Sequence, residues 1–406
     1  MRTGEERIGY RICSKFLAVT AQIELIASKS VAQPHERAVP TARSVQLDVL
    51  RAVAILLVVA GHISIRLAKP DGIVGSIVWL LRQWGAFGVP LFFTLSGYLV
   101  GGLLISELRR HGQIDVRRFL IRRGLKIYPA YFVLLAYLMV MPILKGTASL
   151  SVLLSDYWPN LLFLQNYIGP NPAGYTWSLA VEEHFYLTLP LLLLVFVRLR
   201  LVKLIAPVCI LALLAGIVVR IASAAAGDPY IHNFPSTMAA THLCLDGLLV
   251  GVGVRALAEF SPTHFACLET WRWPLLIAGP VVLATTALPL PSFMGVALDR
   301  ILPISAVSAT ALLIGVLHMP LAGKLSGAVA WIGKYSYGIY LWHVTIIGFL
   351  TRDILARFPG DGQSAHWVFA ATVIMAATIL FGAAMSGLVE WPVLTLRDRF
   401  FPSPSV

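Results

Sequence analysis

Apolar residues in this chain come in long runs separated by short polar connections. Ten runs carry the pattern, at 50–65, 87–105, 127–144, 177–197, 204–222, 239–258, 274–290, 301–317, 335–350 and 367–389. A helix needs about 20 apolar residues to cross the hydrocarbon core of a bilayer, and each run approaches that length. A backbone in lipid must also satisfy its own hydrogen bonds, which favours helices over open strands. The pattern therefore predicts an all-α polytopic membrane protein with about ten transmembrane helices. The segment 150–168 is apolar but broken by Asp156, Pro159, Asn160 and Gln165, so it is expected to be a re-entrant or surface-lying piece. No half of the chain repeats the other.

The same pattern divides the chain. Residues 1–45 are expected to form a cytoplasmic extension, partly disordered or carrying a short amphipathic helix. Its stretch 16–27 follows Arg7, Arg11 and Lys15 as a signal peptide would, but Gln22 and Glu24 interrupt the apolar core. Residues 46–393 form the ten-helix domain, and 394–406 a short cytoplasmic tail.

Composition sharpens this picture. Hydrophobic residues make up 58% of the 406 and charged residues 13%, against about 45–50% and 25% in soluble domains. That excludes an ordinary soluble, disordered, collagen-like or disulfide-stapled chain. The formal charge of +12 suggests nucleic acid until the basic residues are sorted by side. Alternate connections then hold 23 of the 32 Lys and Arg against 8, with Arg51 inside the first run. Positive residues concentrate on the cytoplasmic side, so both termini are expected there, and no nucleic-acid partner is needed to explain the charge. Cys13, Cys209, Cys244 and Cys267 have no metal-type spacing, so free thiols and no metal site are expected.

Ionisable residues inside spans are costly and mark candidate sites. Arg51 and His62 are eleven residues apart in the first run, which places them on one helix face about 16 Å apart along the axis. Arg51 equally suits a snorkelling interface residue, and His62 a hydrogen-bonded core histidine. Ser96-Gly97 in the second run suits a helix-packing point better than a passage lining. Seven positive charges fall between Arg109 and Lys126, and Arg122, Arg123 and Lys126 cluster at the head of the third span. Anionic lipid alone would explain several of them, yet the cluster also suits a polyphosphate. Glu182-Glu183-His184 opens the fourth span, in the outer half at a depth expected to match His62, and at least one of them should face the bundle interior. His242 and Asp246, Tyr340 and His343, and Glu390 complete the candidates.

In order along the chain these residues resemble membrane acyltransferase family 3, the bacterial glycan O-acyltransferases. The resemblance rests on Arg51 with His62, on Phe92-Phe93-Thr94-Leu95-Ser96-Gly97-Tyr98-Leu99, and on Arg122-Arg123 with Lys126 before Tyr128-Pro129. Trp177-Ser178-Leu179-Ala180-Val181-Glu182-Glu183 and Tyr337-Gly338-Ile339-Tyr340-Leu341-Trp342-His343 complete the set. Two positions depart from the family pattern: Lys126 stands where Arg is usual, and His184 where Gln is frequent. The resemblance implies an O-acyltransferase of the bacterial inner membrane. It would move an acyl group, commonly acetyl, from cytoplasmic acyl-CoA to a glycan or glycoside hydroxyl, with no bound cofactor. His62 would be the general base, Arg51 would hold the donor or orient its carbonyl, and Arg122, Arg123 and Lys126 would bind CoA phosphates. Glu182 and Glu183 would join the catalytic group, and Ser96 and Gly97 the donor site. Direct transfer and an acyl-histidine intermediate both fit. No SGNH-type hydrolase module is expected after the tenth run. Two rivals use the same residues differently: a transporter or flippase for a polyanionic or lipid-linked sugar, and a membrane scaffold whose charged pairs are structural.

Overall fold

The computed structural model describes residues 44–168, 172–228, 240–288, 291–293, 295–358 and 363–402. The expected extension 1–45 lies outside these but for its last two residues, as does Cys13. Helices dominate: α1 (Val45–Arg66), α2 (Gly72–Gly85), α3 (Gly88–His111), α4 (Val116–Leu144), α5 (Leu150–Leu161), α6 (Trp177–Arg198) and α7 (Ile205–Ala225). There follow α8 (Asp246–Phe260), α9 (Arg272–Ala284), α10 (Ile304–Leu317), α11 (Lys324–Lys334), α12 (Ser336–Arg357), α13 (Ser364–Met385) and α14 (Trp391–Phe400). A two-residue antiparallel pair joins Ser292–Phe293 to Val296–Ala297. Local chemistry sets several ends. The Ser44 hydroxyl accepts from the Leu47 amide to start α1, and Asp115 accepts from Arg118 N–H to start α4. Gly112, at φ +70°, closes α3.

Among the described residues each of the ten apolar runs falls mostly on helix. Among the described residues, seven helical stretches are long and apolar enough to cross a membrane. The remaining three runs fall on α8, α9 and α10, of 15, 13 and 14 residues, shorter than the usual span. Lipid exposure explains the outward faces: Ile210, Leu211 and Val218 of α7 are all exposed. Within the expected tail, residues 394–400 are helical and belong to α14.

Two apolar cores hold the bundle. One joins α1, α4, α5, α12 and α13 through residues such as Ile55, Tyr131, Leu153, Leu341 and Ile374. The other joins α3, α6, α7 and α8 through Val100, Phe185, Cys209 and Leu248. The polar interruptions of 150–168 have an internal purpose. The Tyr131 hydroxyl donates to the Asn160 carbonyl at 3.0 Å, and Gln165 Nε2 donates to Tyr131 Oη at 3.2 Å and to Thr176 O at 3.1 Å. This buried network ties α4 to the segment before α6 and so sets where Ser178 and Glu182 begin their helix.

α3 and α8 approach at glycines. A Cβ on Gly97 would lie 2.0 Å from Leu248 O, and one on Gly251 would lie 2.2 Å from Thr94 O. Backbone cannot yield as a side chain would, so Gly97 is a packing residue and the helices meet only because it lacks a side chain. Gly97→Ala is expected to lower stability by about 1–3 kcal/mol, the usual cost of overpacking. Thermal unfolding of the purified variant measures it, and an unchanged Tm would contradict this contact.

Candidate active site

A cavity of about 390 Å³ opens between the two cores. Its walls take residues from seven stretches far apart in sequence. α1 supplies Leu47 and Arg51, α3 supplies Ser96, α4 supplies Arg123 and Lys126, and α6 supplies Ser178, Glu182 and Tyr186. α11 adds Lys334, α12 adds Tyr337 and Tyr340, and the last stretch adds Glu390, Trp391 and Arg397. Five cations thus face two carboxylates in an otherwise apolar bundle.

The cations are held differently. Arg51 pairs with Asp48 at 2.6 Å, and Arg397 with Asp398 at 2.8 Å. Lys334 lies 4.4 Å from the Trp391 ring centroid. Arg123 sits over the Tyr186 ring at 5.4 Å. Among the described residues neither Arg123 nor Lys126 has a carboxylate within ion-pair distance, although both line the cavity. Five cations against two carboxylates leave a net positive cavity, which favours an anionic occupant.

Glu182 anchors one wall. It accepts a hydrogen bond from the Tyr186 hydroxyl at 2.8 Å. With that proton committed, Ser96 donates to Tyr186 Oη at 2.6 Å. Glu390 accepts from Ser386 at 2.5 Å within a π-helical turn, Ser386–Glu390. Gly338 makes room there, since a Cβ on it would lie 2.2 Å from Ser386 Oγ.

Neighbouring residues of the expected site point elsewhere. Arg122 bonds Asp398 at 3.0 Å and the Phe401 carbonyl, outside the cavity. Glu183 is buried and accepts from the Tyr128 hydroxyl, so it ties α6 to α4. Gly97 packs on α8. Adjacent helical positions differ by about 100°, so one of each pair faces the cavity and the other a helix neighbour.

His62 also lies off the cavity. Its Nδ1 is 2.9 Å from Val58 O. A carbonyl only accepts, so Nδ1 carries a proton, and in the neutral ring Nε2 is the basic nitrogen. Among the described residues no carboxylate bonds this ring. Glu182 lines the cavity together with Arg51, whereas His62 is not among the lining residues. The His62 ring meets that of His343 edge to face, centroids 4.8 Å apart. His343 is fully buried, with Nδ1 2.5 Å from Tyr340 O. Its ring lies 5.3 Å from that of Tyr340. From cavity to His62, the contacts therefore run through Tyr340 and His343.

His242 and Asp246 stand apart from this cavity. Asp246 pairs at 2.7 Å with buried Arg220, which also donates to the carbonyls of Ile301 and Leu243. His242 Nδ1 lies 3.1 Å from the Tyr167 hydroxyl, and His184 Nδ1 lies 2.7 Å from Thr241 Oγ1.

Sequence reasoning missed Tyr186, Lys334 and Arg397 as site residues. Tyr186 was within reach, four positions after Glu182 and so on the same helix face. Lys334 and Arg397 carried only a topology signal.

Comparison with known proteins adds an independent line. A family model described as acyltransferase domain matches residues 44–386. The chain is 26% identical over 384 residues to a peptidoglycan O-acetyltransferase, OatA, of Listeria monocytogenes, covering 86% of this chain and 55% of that protein. It is 26% identical over 387 residues to a putative peptidoglycan O-acetyltransferase, YrhL, of Bacillus subtilis, covering 90% and 56%. An O-acetyltransferase OatA of Staphylococcus aureus is 33% identical over 137 residues, 30% of this chain and 23% of that protein. The chain spans about half the length of the first two relatives. No solved structure matches it.

Proposed function

We propose, from the premise that the chain belongs to the acyltransferase family matched over residues 44–386, that it is a multi-pass membrane O-acyltransferase using acyl-CoA. The single observation that supports this donor is the cavity with its five cations, two of them without carboxylate partners. CoA presents a diphosphate and a further phosphate, which suit Arg123, Lys126, Lys334 and Arg397. The names of the relatives support acetyl as the acyl group and peptidoglycan as the acceptor class. The basic side of the bundle is the cytoplasmic side of a bacterial inner membrane in this reading, so donor and acceptor arrive from opposite faces.

The chemistry then follows from the residues. His62 Nε2 takes the proton of an acceptor hydroxyl, and that oxygen attacks the thioester carbonyl carbon. The C–S bond breaks, the thiolate leaves, and it takes up the proton from His62. Arg51, about 16 Å along the helix from His62, holds the donor on the cavity wall rather than the carbonyl under attack. Glu182 fixes Tyr186 and balances Arg123 across it. Glu183 supports the site from behind through Tyr128.

The test is transfer by the purified full chain in liposomes, with acetyl-CoA labelled in the acetyl group and soluble peptidoglycan fragments as acceptor. The expected result is label on the glycan, with one free thiol released per ester formed. Label that stays on CoA at saturating acceptor would overturn the donor assignment.

A further inference from the structure

Tyr340 closes the route between the cationic cavity and His62. It lines the cavity, yet its ring also contacts His343, which in turn meets His62. The side chain is buried and clamped at its hydroxyl from two sides. Ser178 Oγ lies 2.6 Å away, and the Tyr340 hydroxyl donates to Tyr175 O at 2.6 Å. The Tyr340 proton is therefore spent on the carbonyl, and Ser178 is the donor in the other bond. The ring has a further aromatic neighbour in Phe92, centroids 6.4 Å apart. Ser178 and Tyr175 come from the start of α6 and the turn before it. Tyr340 comes from α12, so the two bonds latch separate elements together.

A transferase with a thioester on one side and water on the other faces a partition problem. Water is a competing nucleophile wherever a general base is in reach, and excluding it prevents side reactions. In hydrolysis, the water oxygen attacks the carbonyl carbon, the C–S bond breaks, and a carboxylate and a thiol result. We infer that Tyr340, latched by Ser178 and the Tyr175 carbonyl, is the gate that keeps the donor's acyl group from His62 until an acceptor is bound. It is a specificity-determining residue, selecting a sugar hydroxyl over water. The inference rests on the acyl-CoA reading above.

The expectation concerns a ratio rather than a rate. Tyr340→Phe keeps the ring and loses both bonds. Hydrogen bonds of ordinary strength hold a closed state by severalfold to tenfold each in population. Acceptor-independent acetyl-CoA hydrolysis should rise about tenfold, while transfer to peptidoglycan fragments does not rise. Ser178→Ala removes one bond, leaves Tyr340 in place, and should raise hydrolysis about threefold. A merely structural role for Tyr340 would lower hydrolysis and transfer together. Thiol release and labelled ester are measured in parallel on monodisperse full-length protein, without and with acceptor. If wild type transfers acetyl but hydrolysis rises in neither variant, the gate is overturned. If wild type transfers nothing from acetyl-CoA, the donor reading fails instead. The Ser178→Ala protein keeps the test open should Tyr340→Phe not fold.

Discussion

Replacing His62 by alanine should lower transfer by about 10²–10⁴-fold per folded molecule, the usual value of a well-placed general base. The structure gives the reason in atomic terms. The Val58 carbonyl at 2.9 Å holds the proton on Nδ1, leaving Nε2 as the basic nitrogen. His62 is half-buried, and its ring rests against His343. Alanine removes that base and leaves a gap beside the His343 ring, so the helix itself should survive. A purely packing role predicts a different result: lower yield, with normal specific activity in the protein that folds. The measurement is turnover of purified His62→Ala normalised to monodisperse protein. Activity within a fewfold of wild type would remove His62 from the mechanism.

Loss of Arg123 and Lys126 together should raise KM for acetyl-CoA by about 10²–10⁴-fold, because each hydrogen bond to a charged group contributes about 1.5–3 kcal/mol. The effect should fall on KM more than on kcat, since phosphate contacts are remote from the carbonyl under attack. Arg122→Ala is the informative comparison. Its guanidinium is engaged with Asp398 and the Phe401 carbonyl outside the cavity, so KM should stay within about twofold of wild type. Equal effects at Arg122 and Arg123 would mean that the basic loop acts as a whole and that the cavity does not select among its cations. Kinetics over a wide acetyl-CoA range at saturating acceptor separate these results.

These two experiments fall on residues of different legibility. His62 stands out in the sequence because an imidazole inside an apolar run is costly and rare. Arg123 and Lys126 stand out only as members of a charge cluster, and nothing in their spacing separates them from Arg122. The same holds for Glu182 and Glu183. A carboxylate pair at the head of a span announces an inward-facing group, but not which of the two it is. Gly97 was the reverse case. Its packing role, the better reading from Ser96-Gly97 alone, appears in the structure as the approach of α3 to α8.

By itself the sequence determined the class of the molecule and the places where its helices run. The reason is that the bilayer acts on each segment separately: an apolar run of sufficient length is helical in lipid whatever its neighbours are. Motif order along the chain likewise determined the family, because it requires no knowledge of contacts. The tertiary structure decided the site. Lys334 and Arg397 reach Lys126 from more than 200 residues away, and only the meeting of α4, α11 and α14 makes them one cationic wall. It also put Glu182 and Arg51 on one cavity wall, and set Tyr340 between the cavity and the imidazoles. Which face of a helix points inward depends on what packs against it, and that information belongs to pairs of helices rather than to any one of them.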